Sequence, residues 1–265
     1  AGQSAAASKA LIMTPSTPFS IQLYSARNFP PLSETLATVA RLGYTSVEPF
    51  GGMFGQVAEL EKGLADNGLT APTAHMGLDD LQGDFEGMVA KAKSIGVGTV
   101  IVPAPSGSWQ KSTAEWAQIG KDLAAMQEKM ATKDLAFAWH NHAVEFEMLD
   151  DGKIPLEHLL GDSLLWEADI AWIVKGGAEP KEWLERYSGR VVAAHIKDIA
   201  EAGKNEDEDG WADVGDGVMD WPTLWNQSAA AGANVMIAEH DNPSDFERFA
   251  SRTLAAMKTY AASAA

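Results

Sequence analysis

The feature that most constrains the fold is an alternation, along the whole chain, of short apolar runs with longer segments of helical spacing. The apolar runs are rich in β-branched and aromatic residues, which is typical of strands. They are FSIQLYS from Phe19, TSVEPF from Thr45, APTAHM from Ala71, TVIVPA from Thr99, LAFAWHN from Leu135, LLWEADI from Leu164, VVAAHIKD from Val191 and VMIAEHD from Val235. Strands alternating with helices build a parallel sheet. Eight such units in about 250 residues favour a closed (β/α)8 TIM barrel, with an open doubly wound sheet as the alternative.

We predict one barrel domain over residues 19–265 and a flexible N-terminal segment over residues 1–18. The opening stretch, AGQSAAASKALIMTPST, is small and polar and has no regular period. Such a stretch is typical of the mature end of an exported, periplasmic protein, and equally of a trimmed cytoplasmic one, so the compartment stays open. No run approaches the roughly 18 to 20 apolar residues of a membrane helix, and we therefore expect no membrane partner.

The composition narrows the range of partners. The chain has a formal net charge of -17 and no cysteine. Nucleic-acid-binding proteins use clustered Lys and Arg to neutralise phosphates, so we expect no nucleic-acid partner. The absence of cysteine excludes disulfides, thiolate metal sites and a cysteine nucleophile.

Ionisable side chains fall at the carboxyl ends of the predicted strands. In a TIM barrel these ends form one rim, where reactive groups collect. The residues placed there are Glu48, His75, His140, His142, Asp169, His195 and Glu239. Burying these polar and charged side chains together would cost free energy unless a shared cation or a polar substrate lay between them. Mixed imidazole and carboxylate ligands suit a divalent transition metal, and we expect Mn²⁺, with Co²⁺, Zn²⁺, Fe²⁺ or Mg²⁺ as alternatives.

Several longer motifs carry a family resemblance. They are LAFAWHNHAVEFE from Leu135, EADIAWIVKGGAEPKEWLERYSGRVVAAHIKD from Glu167, DVGDGVMDWPTLW from Asp213 and IAEHD from Ile237, with IQLYSARN from Ile21 and LGYTSVEPF from Leu42 in the N-terminal half. In this order they resemble the sugar phosphate isomerase/epimerase family, whose barrel is xylose isomerase-like. The resemblance covers residues 19–260.

The resemblance implies one metal ion bound by a Glu, an Asp, a His and a second Glu from the last four strands. Asp169, His195 and Glu239 match three of these ligands. Many relatives have Glu-x-His at the end of the fifth strand, where this chain reads His140-Asn141-His142. The first ligand is therefore either Glu145, which we favour because a second carboxylate better balances the charge of the ion, or His140.

The resemblance also implies proton abstraction next to a carbonyl through an enediolate, in a sugar isomerase or epimerase. Glu239 or His142 would be the base. The imidazoles of His75, His140 and His142, with an unperturbed pKa of about 6.5, would serve the second proton transfer. Lys197 would hold a substrate oxygen.

A small carbohydrate is the expected substrate. Its predicted contacts are Glu48, Trp109, Trp172 and Arg27. Epimerases of the family that act on free ketoses commonly have a His where this chain has Trp172, and an indole can stack on a sugar but cannot transfer a proton. For the loop tryptophans ordinary packing is the alternative to a sugar platform, and for Arg27 it is a surface salt bridge.

Two other functions stay open. A leaving group on the β carbon would turn the same enediolate chemistry into elimination, giving a lyase or hydratase acting on 3-keto sugars or 3-keto-glycosides. A non-catalytic barrel that binds a sugar or serves as a partner subunit is the other alternative.

Two loops have two interpretations each. The acidic stretch from Glu206 to Asp209 is a solvated loop or a lid. The apolar residues of the GGMFG loop would line the pocket or join two copies in a homo-oligomer.

Overall fold

A computed structural model of the chain describes residues 19–264; the predicted flexible segment 1–18 lies outside this range. The described residues form ten strands. They are β1 (Phe19–Gln22), β2 (Ser46–Glu48), β3 (Thr73–His75), β4 (Thr99–Val102), β5 (Ala136–His140), β6 (Leu165–Asp169), β7 (Val191–Ile196), β8 (Asp198–Ile199), β9 (Trp211–Ala212) and β10 (Val235–Ala238). All eight predicted strands are present, each within its predicted run. The strands β8 and β9 are additional.

Eight of the strands form a parallel sheet in the order β2-β1-β10-β7-β6-β5-β4-β3. The edges β2 and β3 approach each other, since the amide of Val47 donates to the carbonyl of Thr70 at 2.9 Å and that of His75 to the carbonyl of Pro49 at 2.9 Å. The sheet is thus a nearly closed barrel, and the predicted TIM barrel is confirmed. The strands β8 and β9 pair antiparallel outside it.

Helices follow the barrel strands and pack around them. Those of the described chain are α1 (Leu32–Leu42), α2 (Val57–Asn67), α3 (Leu78–Gly83), α4 (Phe85–Ser94), α5 (Thr113–Ala131), α6 (Pro155–Leu160), α7 (Ile170–Lys175), α8 (Pro180–Arg186), α9 (Trp221–Ala231) and α10 (Phe246–Ser263). Within residues 19–264 no helix is long and apolar enough to cross a membrane.

Helix ends show why the sequence folds in this way. The helix α5 begins with a capping box, in which Ser112 Oγ accepts from the amide of Glu115 at 3.2 Å and the Glu115 carboxylate accepts from the amide of Ser112 at 2.7 Å. The helix α9 ends at Gly232, whose φ of 118° suits only glycine, and an added Cβ would lie 2.8 Å from the carbonyl oxygen of Val191. Because the helices begin and end at defined residues, the chain can turn directly into the next strand.

Candidate active site

The register of the last strands brings the predicted metal ligands together. Asp169 ends β6 and pairs with His195 on the neighbouring β7. Glu239 directly follows β10, and its amide donates to the carbonyl of Ile196 at 3.1 Å. One ligand atom from each of these side chains lies within 4.8 Å of the others, and we call Asp169, His195 and Glu239 the upper triad.

The upper triad fits a shared cation. His195 Nδ1 and Glu239 Oε2 are buried and touch each other outside hydrogen-bond geometry, and neither has a hydrogen-bond partner among residues 19–264. Two electron-rich atoms that face one point without sharing a proton repel each other unless a positive charge lies between them. The opposite ring nitrogen, His195 Nε2, lies 2.7 Å from Glu48 Oε1. A carboxylate on the far nitrogen is the usual partner of a metal-binding histidine.

Lys197 lies within the same group of carboxylates. Its Nζ is 2.9 Å from Asp169 Oδ2, 3.0 Å from Asp241 Oδ1 and 3.7 Å from Glu239 Oε1, and its side chain is 1% exposed. Burial lowers the pKa of this ammonium, but the carboxylates of Asp169 and Asp241 raise it above its usual range. Three carboxylates around one ammonium leave an excess of two negative charges, which a divalent cation would neutralise.

Asp241 was not among the predicted site residues. Burial alone would raise the pKa of Asp241, but the nearby Lys197 ammonium has the opposite and larger effect. The pKa is therefore lowered to about 2, and the side chain is ionised at neutral pH. The signal was present in the sequence as Glu239-His240-Asp241, where two acidic residues two apart follow a strand.

Glu145 and His140 were the two candidates for the fourth metal ligand, and neither belongs to the upper triad. The oxygens of Glu145 accept from Trp139 Nε1 at 3.1 Å and from the amide of His142 at 2.9 Å, and burial raises the pKa of this carboxyl to about 7. His140 is nearer, with its Nε2 3.6 Å from Asp169 Oδ2.

A second group of ionisable side chains lies on the other side of His195, with Glu167 two residues before Asp169 on β6. It comprises Glu48, His75, His140 and Glu167, together with Nε2 of His195, and we call it the lower cluster. Glu48, predicted to contact the substrate, is fully buried here and accepts from Gln22 Nε2 at 2.8 Å and Thr73 Oγ1 at 2.5 Å.

Glu167 was also missed from the sequence. It precedes Asp169 by two residues, so both carboxylates face the barrel interior, and across the sheet it lies beside His140 of β5 and Ala193 of β7. The two-residue spacing within one strand was the available signal.

Above these groups opens a cavity of about 610 Å³. It is bordered by aromatic side chains from several loops, and seven of the predicted site residues line it. The aromatic residues are Tyr24, Phe50, Trp109, Trp172 and Trp211, and the predicted residues are Arg27, His75, Trp109, His140, His142, Trp172 and Glu239. Arg27 lies at the rim, with its guanidinium 3.9 Å above the ring of Tyr24.

The cavity histidines do not keep the ordinary pKa expected for them. Burial lowers the pKa of His142 to about 3, so its imidazole is neutral at pH 7, and its Nδ1 has no hydrogen-bond partner in the described chain. Burial also lowers the pKa of His75, but the carboxylates of Glu48 and Glu167 outweigh this effect and raise it to about 10.

The acidic stretch after β7 is anchored at the side of the mouth. Glu208 is buried and accepts from the amide of Ser244 at 2.7 Å, and it forms an ion pair with Arg248. Asp198 accepts from the amides of Gly215 at 3.0 Å and Met219 at 3.1 Å. These contacts tie the segment after β7 to its neighbours, and Asp209 and Trp211 of that segment line the cavity.

Comparison with known proteins bears on the fold. No protein-family model matches the chain, and no curated protein matches it significantly by sequence. In structure the chain is similar to a sugar phosphate isomerase/epimerase from Parabacteroides distasonis, with a TM-score of 0.76 and 18% identity over 92% of this chain and 94% of that one. The chain has the xylose isomerase-like TIM barrel fold.

Other proteins of this fold differ in what they do. The chain is similar to AsbF of Bacillus anthracis, a probable 3-DHS dehydratase, with a TM-score of 0.71 and 12% identity over 91% of this chain and 98% of that one. It is also similar to the IOLI protein, whose structure contains a zinc atom, with a TM-score of 0.71 and 13% identity over 92% and 97% of the two chains. The xylose isomerase-like barrel therefore supports more than one reaction, and function has to be argued from the site.

Proposed function

We propose that this barrel is a divalent-metal-dependent sugar isomerase or epimerase that moves a proton on the carbon next to a carbonyl. The observation that carries the proposal is the upper triad, whose three ligand atoms lie close together and whose Glu239 lines an aromatic-walled cavity. Asp169, His195 and Glu239 would hold the cation, with Mn²⁺ as the expected ion. When bound, it would polarise substrate oxygens and stabilise the negative charge that develops beside the carbonyl.

The side chains of the cavity supply the base and a hydrogen-bonding group. Glu239 belongs to the upper triad and also lines the cavity, so its carboxylate is the base placed between the cation and a bound substrate. His142 faces the same cavity as a neutral imidazole with a free Nδ1 in the described chain, so it can hydrogen-bond to a substrate hydroxyl beside the reacting carbon.

The remaining residues orient the substrate and exclude water. Lys197 is 1% exposed and does not line the cavity, so it acts on substrate through Asp169 and Asp241 rather than by direct contact. The indoles of Trp109 and Trp172 flank His142, with ring centroids at 5.1 and 5.5 Å from its own. Such faces pack against the C–H groups of a sugar ring.

Elimination is the second candidate, because AsbF shows that a probable dehydratase uses the same fold. A cavity of about 610 Å³ lies well within the range of sites for ligands larger than a monosaccharide. We infer that 3-keto sugars and 3-keto-glycosides are the substrates to test for this reaction, with the same base removing the proton and the β substituent leaving.

The test combines metal dependence with product analysis. The chain would be treated with chelator, reloaded with Mn²⁺, and incubated in D₂O with ketohexoses, 3-keto sugars and 3-keto-glycosides under NMR. Isomerisation or epimerisation incorporates deuterium next to the carbonyl, whereas elimination also releases the β substituent.

Asp169→Asn should abolish either reaction, and Asp162→Asn, at an exposed loop position, is the matched control. Turnover that survives complete metal removal would overturn the proposal. Sugar binding without deuterium incorporation would favour the non-catalytic barrel.

A further inference from the structure

The strongest feature outside the upper triad is the lower cluster, because its atoms are packed closely around one point. His75 Nε2 lies 3.0 Å from Glu48 Oε1 and 2.7 Å from Glu167 Oε1. His195 Nε2 lies 2.7 and 2.9 Å from the same two oxygens. One ligand atom from each of His75, His140, Glu167 and His195 lies within 4.8 Å of the others, so the group is compact enough to surround one cation.

Hydrogen bonding satisfies only part of this cluster. Glu167 Oε1 is hydrogen-bonded to His75 Nε2 at 2.7 Å and to His140 Nδ1 at 3.0 Å, which fills its two lone pairs. His195 Nε2 lies 2.9 Å from the same oxygen, but its hydrogen bond goes to Glu48 Oε1 at 2.7 Å. The other oxygen, Glu167 Oε2, is buried and has no hydrogen-bond partner among residues 19–264. A buried carboxylate with one oxygen unsatisfied beside three imidazoles is an arrangement that a bound cation would explain.

We propose that the lower cluster is a second divalent-cation site, with His75, His140 and Glu167 as its ligands, while Glu48 accepts the Nε2 proton of His195 at the edge of the site. Imidazole outnumbers carboxylate here, in contrast to the upper triad, and nitrogen-rich sites suit Zn²⁺ or Co²⁺ better than Mn²⁺ or Mg²⁺.

The second site is connected both to the cavity and to the upper triad. His75 and His140 line the cavity floor, so the cation is reachable from the substrate side. His195 turns Nε2 toward the lower cluster and Nδ1 toward Glu239 of the upper triad. One imidazole therefore lies between the two sites, and its loss should affect both.

The experiment is a count of bound metal in the full-length chain. After chelator treatment and equilibrium dialysis against Zn²⁺ and, separately, Mn²⁺, metal per chain is measured by mass spectrometry of the elements. We expect two Zn²⁺ per chain for the wild type and for the exposed control Asp162→Asn. Glu167→Gln should retain only the upper ion, Asp169→Asn only the lower one, and the double variant none.

Diffraction at the zinc absorption edge on the wild type gives a readout that does not depend on variants folding. Two anomalous peaks, one beside Glu167 and one beside Glu239, would support the proposal. A single peak at the upper triad, with one Zn²⁺ per chain, would overturn it and leave the lower cluster as a hydrogen-bonded support for His195. That outcome leaves the proposed function intact, whereas two bound ions without deuterium incorporation from any substrate would contradict the proposed function alone.

Discussion

Among single residues, Lys197 should affect metal binding most, because its ammonium contacts the Asp169 oxygen that would otherwise bind the cation. Its Nζ lies 2.9 Å from Asp169 Oδ2. In Lys197→Met, which keeps the length and loses the charge, we expect Mn²⁺ to bind about tenfold more tightly, equivalent to about 1.4 kcal/mol. The metal-free variant should be less stable by about 3 to 5 kcal/mol, since buried carboxylates lose their partner.

Isothermal titration with Mn²⁺ and urea unfolding of the metal-free chain measure these two effects. The matched control is Lys175→Met, because Lys175 also belongs to the cavity but stacks over Trp211 at 3.9 Å. It should change neither quantity appreciably. Weaker Mn²⁺ binding in Lys197→Met would show that the ammonium organises the cation site instead of competing with it.

At the scale of elements, the segment between β7 and α9 depends on one buried acid that ties it to α10. Burial raises the pKa of Glu208, but the amide of Ser244 and the guanidinium of Arg248 lower it below its usual value. A folded-state pKa below the unfolded one means that ionised Glu208 stabilises the fold above the unfolded pKa. This stabilisation is lost as the pH falls through the folded pKa.

We therefore expect Glu208→Gln to lower stability at pH 7 by about 1 to 2 kcal/mol. The difference from wild type should shrink as the pH falls below about 4.3, the unfolded value for Glu. Urea unfolding at several pH values measures it. Glu206→Gln, in the same turn but exposed, is the control and should follow the wild type throughout. An undiminished difference at pH 3 would show that shape rather than charge anchors the segment.

At the scale of the whole molecule, the features that could be predicted from the sequence are those with a periodic pattern. Strand runs, their alternation with helices and the rule that barrel sites collect at carboxyl ends were enough to predict the barrel and to bring Asp169, His195 and Glu239 to one rim. Contacts between strands could not be predicted in the same way, since they depend on register. The pairing of β5, β6 and β7 is what sets Glu167 beside the histidines.

The direction in which a side chain on a turn points could not be predicted from the sequence either. Glu145 lies in a short 3₁₀ turn after β5, and its carboxylate accepts from the amide of His142 and the indole of Trp139 rather than joining the upper triad. The sequence places this acid within a few residues of the site but says nothing about which neighbours satisfy its oxygens. Local hydrogen bonding, which has no periodic signature, decided the outcome.

Metal binding should also be visible in the stability of the whole chain, because a cation held only by the folded barrel shifts the unfolding equilibrium toward the native state. At a free concentration 100 times the Kd, one ion adds about 2.7 kcal/mol, which for a chain of this size raises Tm by roughly 5 to 10 °C. We expect Mn²⁺ to produce such a shift in the chelator-treated wild type, increasing with the logarithm of its concentration, and differential scanning calorimetry measures it. In Asp169→Asn the shift should be much smaller, because the cation loses one of its three ligands in the upper triad. An equal shift in both proteins would place the stabilising ion away from the upper triad and remove the physical basis of the proposed chemistry.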